Sequence, residues 1–271
     1  MNCCPAASTL QPPQPYWRQA AAPHSQKLTV FCDFDGPLVD VSHRYYSTYQ
    51  LGLADTQEIY QERGEILHLQ VLTKEQFWQM KQDRVPDVEI AMRSGLHGEQ
   101  INVFLQRVVS IVNQPALLQK DKMQPGVNWA LALLHSQGIQ LVLVTLRCQS
   151  QALQILQNHG LARLFSGIYG THDSDAAYQN YAEVKTQLLT TAIAEHCSPS
   201  WQTVDDCWMV GDTEADILAG QALSIPTIAL TCGIRSSQRL RQFQPTRIHS
   251  DLLSVAHYLL GVSQQSMVNG Q

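Results

Sequence analysis

Apolar residues along this chain fall into short continuous runs separated by longer amphipathic stretches. The runs are Leu28–Cys32, Ile139–Val144 (IQLVLV), Gly167–Tyr169, Cys207–Val210 (CWMV) and Pro226–Leu230 (PTIAL). Most are continuous and β-branched rather than alternating, the pattern of strands covered on both faces, as in a parallel sheet. Flanking Gly, Pro and Thr favour strands over buried helix. Between the runs lie helical patterns. GVNWALALLHSQG places Trp129, Leu133 and Leu134 on one face and stops at Gly138. QSQALQILQNHG repeats that design up to Gly160, AAYQNYAEVKTQLLTTAIAEH is longer, and EADILAGQAL is short. From about Pro125 onward, helix alternates with strand, which predicts an α/β fold with a doubly wound parallel sheet.

Residues 41–122 break the alternation. No strand pattern stands out there, and SHRYYSTYQLG, TQEIYQERGEILHLQ, TKEQFWQMKQDR and EQINVFLQRVVSIVNQ read as helices, with Thr73 and Gln76 as a capping box. An all-helical insert therefore interrupts the sheet directly after its first strand. The expected organisation is a flexible Pro-rich tail over 1–26, an α/β core built from 27–40 and 123–262, the helical insert over 41–122, and a flexible tail over 263–271. The first tail rests on composition, since five of the twelve prolines fall in the first 23 residues.

Composition narrows the function classes. With 44% hydrophobic and 15% charged residues, the 271-residue chain can bury a sizeable core. A net charge of −5 argues against a broad basic surface for nucleic acid. No apolar run approaches the roughly 20 residues of a membrane helix, so no membrane partner is expected. The N-terminus lacks the basic start and apolar core of a secretory signal. The seven cysteines are odd in number and lack CxxC spacing, which fits a reducing cytoplasm. Cys32 and Cys207 read as small buried hydrophobes, and the Cys3–Cys4 pair as part of the tail.

The chemistry gathers at strand ends. The stretch KLTVFCDFDGPLVD ends its apolar run in Asp33 and Asp35, with Asp40 beyond, and CWMV runs into Asp212 with Asp216 four residues later. Two carboxylates 4 Å apart at an effective dielectric near 20 repel by roughly 4 kcal/mol. Either a cation sits among them or one holds a proton. In open parallel sheets, ligands bind beyond the carboxyl ends of the strands at the switch point. If these two strands are neighbours, Asp33 and Asp212 converge there, and clustered hard oxygens suit Mg²⁺. Thr145 ends the LVLV run, where a hydroxyl and free N–H groups could hold phosphate oxygens. Lys185 is the only lysine after Lys122 and the one lysine the C-terminal half can offer to a phosphoryl group. Taken singly, each has a plainer reading: Asp40 as a helix cap, Thr145 as a strand-end residue, Lys185 as a solvated helix face. Their joint order along the chain is what argues for a site.

These segments resemble the haloacid dehalogenase superfamily, and within it the phosphoglycolate phosphatase-like hydrolases with a helical cap. DFDGPLVD resembles the first family motif, LVLVT the second, Lys185 the third and WMVGDTEADILAG the fourth, and PTIALTCGIRS resembles the segment that follows. The resemblance covers roughly Lys27 to Leu260. It implies a Rossmann-like core with a C1-type cap and a Mg²⁺-dependent phosphatase acting on a small phosphorylated metabolite through an aspartyl-phosphate. Asp33 would be the nucleophile and Asp35 the general acid and then base. Asp33, Asp35 through its backbone carbonyl, Asp212 and Asp216 would serve the metal, and Thr145 and Lys185 would grip the phosphoryl group. The presence of Asp35 argues against dehalogenation, because a halide needs no proton. Pro37 departs from the pattern, since Thr often stands there in phosphatases.

Cap candidates for substrate binding are Lys81 and Arg84, with Arg44 and Arg93 as further polar positions. Arg147, just beyond Thr145, could meet a second anionic group, as could Arg235. Phe77 and Trp78 read as helix packing. A sugar-phosphate mutase on the same scaffold, or a cap-bearing binding protein without catalysis, are the alternatives. A signalling receiver is disfavoured, because its accepting Asp normally lies on a later strand of a smaller domain. The expected assembly is a monomer or homodimer.

Overall fold

The computed structural model describes residues 28–172, 176–197 and 207–268. The tail expected over 1–26, including Cys3–Cys4, lies outside them. The chain opens with β1 (Thr29–Cys32) and turns through β2 (Val39–Asp40) into five helices. These are α1 (Ser42–Glu62), α2 (Lys74–Gln82), α3 (Asp87–Arg93), α4 (Glu99–Ile111) and α5 (Pro115–Leu118). It returns through β3 (Lys122–Met123), which pairs antiparallel with β2. The rest alternates: α6 (Val127–Ser136), β4 (Gln140–Cys148), α7 (Gln149–Asn158), β5 (Phe165–Thr171), α8 (Ala176–Gln179), α9 (Ala182–His196) and β6 (Cys207–Gly211). Then follow α10 (Glu214–Ala222), β7 (Thr227–Leu230), α11 (Ser237–Arg241), β8 (Arg247–His249) and α12 (Leu252–Val268).

The six long-range strands form one parallel sheet in the order β5-β4-β1-β6-β7-β8. The chain lays β4 and β5 on one side of β1, then crosses back to lay β6, β7 and β8 on the other. The switch point therefore falls between β1 and β6. Register brings Cys32 beside Val210, so the residues after both strands emerge together.

Alternation along the strands explains the two helical layers. Val30, Cys32, Leu141, Leu143 and Val210 face a layer that includes Ala130 and Leu131 of α6 and Val255 and Ala256 of α12. Phe31, Val142, Val144 and Met209 face Leu189 and Ala192 of α9 and Ala219 of α10. Successive strand side chains point to opposite faces, so a strand buried on both sides must be apolar throughout.

The expected strands all form, with small shifts at their ends, and β4 runs on to Cys148. The edge strand β8 was not expected, because Arg247–His249 carries no apolar run. In the insert, the two segments read as separate helices over 42–52 and 56–70 merge into α1, which ends at Glu62, and residues 65–73 are not helical. α3, starting after Pro86, was also unexpected. The Thr73–Gln76 capping box forms as read. Asp40 Oδ1 accepts the Ser42 N–H at 2.8 Å and so supports the start of α1.

In α6 the buried stripe is Val127, Ala130, Leu131 and Leu134, while Trp129 is 77% exposed. Two overlapping spacings of three and four share Leu134, and the sheet selects the one that starts at Val127. The long helix read over 176–196 breaks at Asn180, whose φ is +57°. α12 continues to Val268, into the stretch read as a tail. Among the described residues, no helix is long and apolar enough to cross a membrane.

Candidate active site

Asp33 follows β1 directly, and its N–H donates to the Val210 carbonyl at 2.9 Å. This extends the β1–β6 ladder by one residue and aims Asp33 at the switch point. The chain then turns sharply: Gly36 N–H donates to the Val39 carbonyl, and the N–H groups of Leu38 and Val39 both reach the Phe34 carbonyl. Pro37 is buried in this turn, and its missing donor is one the turn does not use. Gly36 is required twice over. Its φ is +96°, and a Cβ there would lie 2.1 Å from Asp212 Cγ. Gly233 closes the other side, where a Cβ would lie 2.0 Å from Asp212 Oδ2. The Asp212 carboxylate thus occupies a slot between two glycines, with Oδ2 accepting the Ile234 N–H at 2.5 Å and Oδ1 buried without a partner among the described residues.

Asp33, Asp212 and Asp216 are all buried and offer carboxylate oxygens within 4.8 Å of one another. One cation answers them. Lys185, on α9, places Nζ 2.7 Å from Asp33 Oδ1 and 2.8 Å from Asp216 Oδ1, and donates to the Val144 carbonyl at 3.0 Å. Burial works to depress the Lys185 pKa, but Asp216 and Asp33 outweigh it and hold the ammonium above its ordinary value. Burial pushes Asp33 up to about 7, with Lys185 opposing and Asp216 and Asp35 adding to the rise. Asp212 is pushed well above the usual carboxylate range by burial, then by Asp33 and Asp216. Three carboxylates with one ammonium, and an orphaned oxygen on Asp212, make a hard-oxygen donor set short of positive charge. The residues present fit Mg²⁺.

Asp35 belongs to a different arrangement. Its Oδ2 lies 3.2 Å from Arg44 Nη2 and its Oδ1 2.7 Å from Arg147 Nη2. Asp121 completes the set, with Oδ1 2.9 Å from Arg44 Nε and Oδ2 2.5 Å from Arg147 Nη2. Arg44 comes from α1 of the insert, Asp121 from the segment leading into β3, and Arg147 from the end of β4. Both guanidiniums are 2% exposed. The four side chains balance two charges of each sign. Burial works against the Arg147 charge, but Asp35 and Asp121 raise its pKa above the ordinary value.

Thr145 is buried, and its Oγ1 accepts the Arg147 N–H at 3.1 Å. It lines a pocket of about 20 Å³ together with Asp33, Asp35, Arg147, Asn180 and Thr213. On that measure a water needs about 10–15 Å³. The pocket is small, and Arg44 of the helical insert reaches its Asp35.

Lys81 and Arg84 stand elsewhere, at the seam between cap and core. Lys81 pairs with Asp87 at 2.9 Å, and its ammonium lies 4.9 Å from the Tyr178 ring centre. The Tyr178 hydroxyl donates to Asp87 at 2.6 Å. Burial works to raise the Asp87 pKa, but Lys81 and Tyr178 hold it below its ordinary value. Arg84 pairs with Glu214 at 3.2 Å, which also holds Arg235 at 2.7 Å. Arg235 Nη1 donates to the Lys81 carbonyl at 3.2 Å. These contacts staple the cap to the core and border a groove of about 560 Å³. Arg93 pairs with Glu89 on the surface of α3. Sequence reading missed Asp121 and Asn180. Asp121 sits in the polar stretch QKDKMQ with no local signal. Asn180 carried one, being the residue type most ready to take a positive φ and break a helix.

The sequence profile of the haloacid dehalogenase-like hydrolases matches residues 30–230, and the chain belongs to that family. A protein of Dickeya dadantii named as a probable phosphatase, IndB, is 26% identical over 242 residues, 88% of this chain and 96% of that one. The phosphoglycolate phosphatase of Psychrobacter arcticus is 32% identical over 136 residues, 50% of this chain and 55% of that enzyme. A solved Clostridium difficile structure superimposes with a TM-score of 0.64 at 18% identity, covering 86% of this chain and 98% of that one. It shares the fold.

Proposed function

We propose that the protein is a Mg²⁺-dependent phosphatase that hydrolyses a small phosphomonoester through an aspartyl-phosphate on Asp33. The observation that carries this reading is the buried Asp33–Asp212–Asp216 cluster, which among the described residues pairs with Lys185 alone and whose Asp33 lines the same pocket as Asp35. Asp33, Asp212, Asp216 and the Asp35 carbonyl would hold the metal, whose charge lets a carboxylate approach a phosphate dianion. An Asp33 oxygen attacks phosphorus as the ester oxygen leaves, taking a proton from Asp35. Asp35 then removes a proton from water, whose oxygen attacks the same phosphorus and frees Asp33. Both Asp35 oxygens are engaged here, so delivery to a leaving group requires one contact to be released. Arg44, carried by the cap, is the partner that cap opening would withdraw. The same opening admits substrate to a pocket that otherwise holds about one water.

The relatives support two kinds of substrate: phosphoglycolate, from enzymes like that of Psychrobacter arcticus, and pyrophosphate. The latter comes from pyrophosphatase PpaX of Listeria innocua, 24% identical over 237 residues. The test is phosphate release from a panel holding both, an aryl phosphate and a sugar 1-phosphate, with Mg²⁺ and with Asp33→Asn as blank. Release that needs Mg²⁺ and vanishes in the variant is expected. Equal release by the variant overturns the nucleophile assignment, and isomerised sugar phosphate in place of free phosphate marks a mutase.

A further inference from the structure

The end of the sheet where its strands begin lies away from the acidic cluster, and it brings two thiols together. Cys197 caps the C-terminus of α9, and Cys207 opens β6. Their Sγ atoms are 3.4 Å apart, with Cys197 partly exposed and Cys207 buried. A disulfide holds its sulfurs at about 2.0 Å, so closure needs about 1.4 Å of approach, a movement on the scale of side chains. Nine residues separate the two in sequence, all outside the described residues. The hydrogen bond with Cys207 is the largest influence on the Cys197 thiol and lowers its pKa. Burial opposes it, and Thr29, opposite Cys207 in the β1–β6 register, adds to it. A thiolate within reach of oxidant is the reactive form of cysteine. The other described cysteines differ. Burial pushes the Cys32 thiol well up and the Cys232 thiol up to about 12. The Cys148 thiol is lowered by its hydrogen bond with Ser150, a hydroxyl and not a second sulfur. Among the described residues, the one group of three or more metal-ligating side chains is the acidic cluster, so the paired sulfurs lack there the third ligand a metal centre needs.

We propose that Cys197 and Cys207 form a reversible disulfide, driven by a peroxide, that staples the end of α9 to the start of β6. The Cys197 thiolate attacks one peroxide oxygen and the O–O bond breaks. Cys197 becomes a sulfenic acid, and the other oxygen leaves as water after taking a proton. The Cys207 sulfur then attacks the Cys197 sulfur, and the displaced hydroxyl departs with the Cys207 proton as a second water. Two thiols are oxidised to one disulfide, and hydrogen peroxide is reduced to two waters. A dithiol reductant reverses the step by thiol–disulfide exchange. Where a compartment keeps thiols reduced, such bonds are transient and respond to oxidant. Cys197 lies twelve residues beyond Lys185, about 18 Å along the helix. The bond therefore acts on how the Lys185-bearing helix is held to the sheet and not on the reacting groups, and it stands independently of the phosphatase reading.

The test treats the full chain with a slight excess of hydrogen peroxide and maps its cysteines by mass spectrometry. After cleavage at aspartate, the peptides holding Cys197 and Cys207 are expected to travel together until dithiothreitol separates them. Closing so short a loop is expected to raise the melting temperature by roughly 5 °C, and dithiothreitol to reverse the rise. Cys197→Ser should show neither the linked peptides nor the shift. Cys207→Ala removes the resolving sulfur, so the Cys197 sulfenic acid should persist and be labelled by dimedone. Peroxide-treated wild type with no Cys197–Cys207 link overturns the proposal, and this readout needs no variant to fold. A melting shift of equal size in Cys197→Ser overturns the staple, since another site would then be its source. Absence of the dimedone label in a folded Cys207→Ala, with Cys197 still a thiol, overturns Cys197 as the group that meets the oxidant.

Discussion

Two groups of buried carboxylates stand side by side in this molecule and are treated in opposite ways. Asp35 and Asp121 meet two arginines, each of which touches both of them. Among the described residues, Asp33 and Asp216 share a single lysine, and one oxygen of the neighbouring Asp212 has no hydrogen-bond partner. The first group is closed electrostatically and ties cap to core. The second is left short of positive charge at the place where the sheet changes direction. Under the phosphatase reading proposed above, a metal ion would complete the second set.

That contrast can be broken by substitution. The largest expected effect is on turnover: Asp33→Asn should lose at least about a thousandfold in phosphate release while its circular dichroism is unchanged. Next come unequal losses of stability in metal-free buffer. Asp121→Asn leaves two buried guanidiniums to share Asp35 alone and should cost about 3 kcal/mol in urea unfolding. Asp212→Asn puts a neutral amide in place of a carboxyl that burial already pushes toward its protonated form, and should cost less than about 1 kcal/mol, because its amide oxygen can still accept the Ile234 N–H. Equal losses in the two variants would remove the distinction between the groups.

A smaller effect is the pH dependence of the metal-free fold. Asp33 holds its proton to about 7 in the folded chain against an ordinary 3.8. Between those values the folded state binds more protons than the unfolded one, so stability falls as pH rises through this window. Mg²⁺ should therefore raise the melting temperature more at about pH 8 than at about pH 5.5. A metal increment that is flat or reversed with pH would mean the cluster is not what binds it. The smallest effect is expected at Trp129, whose exposure predicts that Trp129→Ser changes stability by less than about 0.5 kcal/mol.

How far the sequence could be read follows the same division. The residues of the open cluster announce themselves, because each sits at the end of an apolar strand or in a helix beside one, and parallel topology brings strand ends together. Lys185 could be found by elimination, as the last lysine in the chain. The closed group was legible only in part: Asp35, Arg44 and Arg147 stood out one by one, but Asp121 and the meeting of the four did not. Arg44 and Arg147 look like any polar residue on a helix or after a strand, and Asp121 lies at no periodic position. Their meeting depends on how the insert folds back over the sheet, which no local pattern encodes. Trp129 shows the same limit from the other side: apolar spacing fitted two faces of α6, and only packing on the sheet decided between them. The edge strand β8 escaped because Ile248 is its one apolar residue, between the polar Arg247 and His249.

The short ribbon of β2 and β3 has a consequence for how such an enzyme could change over time. Val39 pairs with Met123, so the chain leaves the sheet and comes back at the same spot. Closure entropy grows only with the logarithm of loop length, so what lies between can be lengthened, shortened or exchanged with little penalty to the core. An exchange of residues 41–121 would leave Asp33, Asp212, Asp216 and Lys185 in place but carry away Arg44 and Asp121. Arg44, Asp121 and the helices around them would thus be inherited together as one cassette, while Asp33 with its charged surroundings, and Arg147 on the other side of Asp35, would stay with the scaffold.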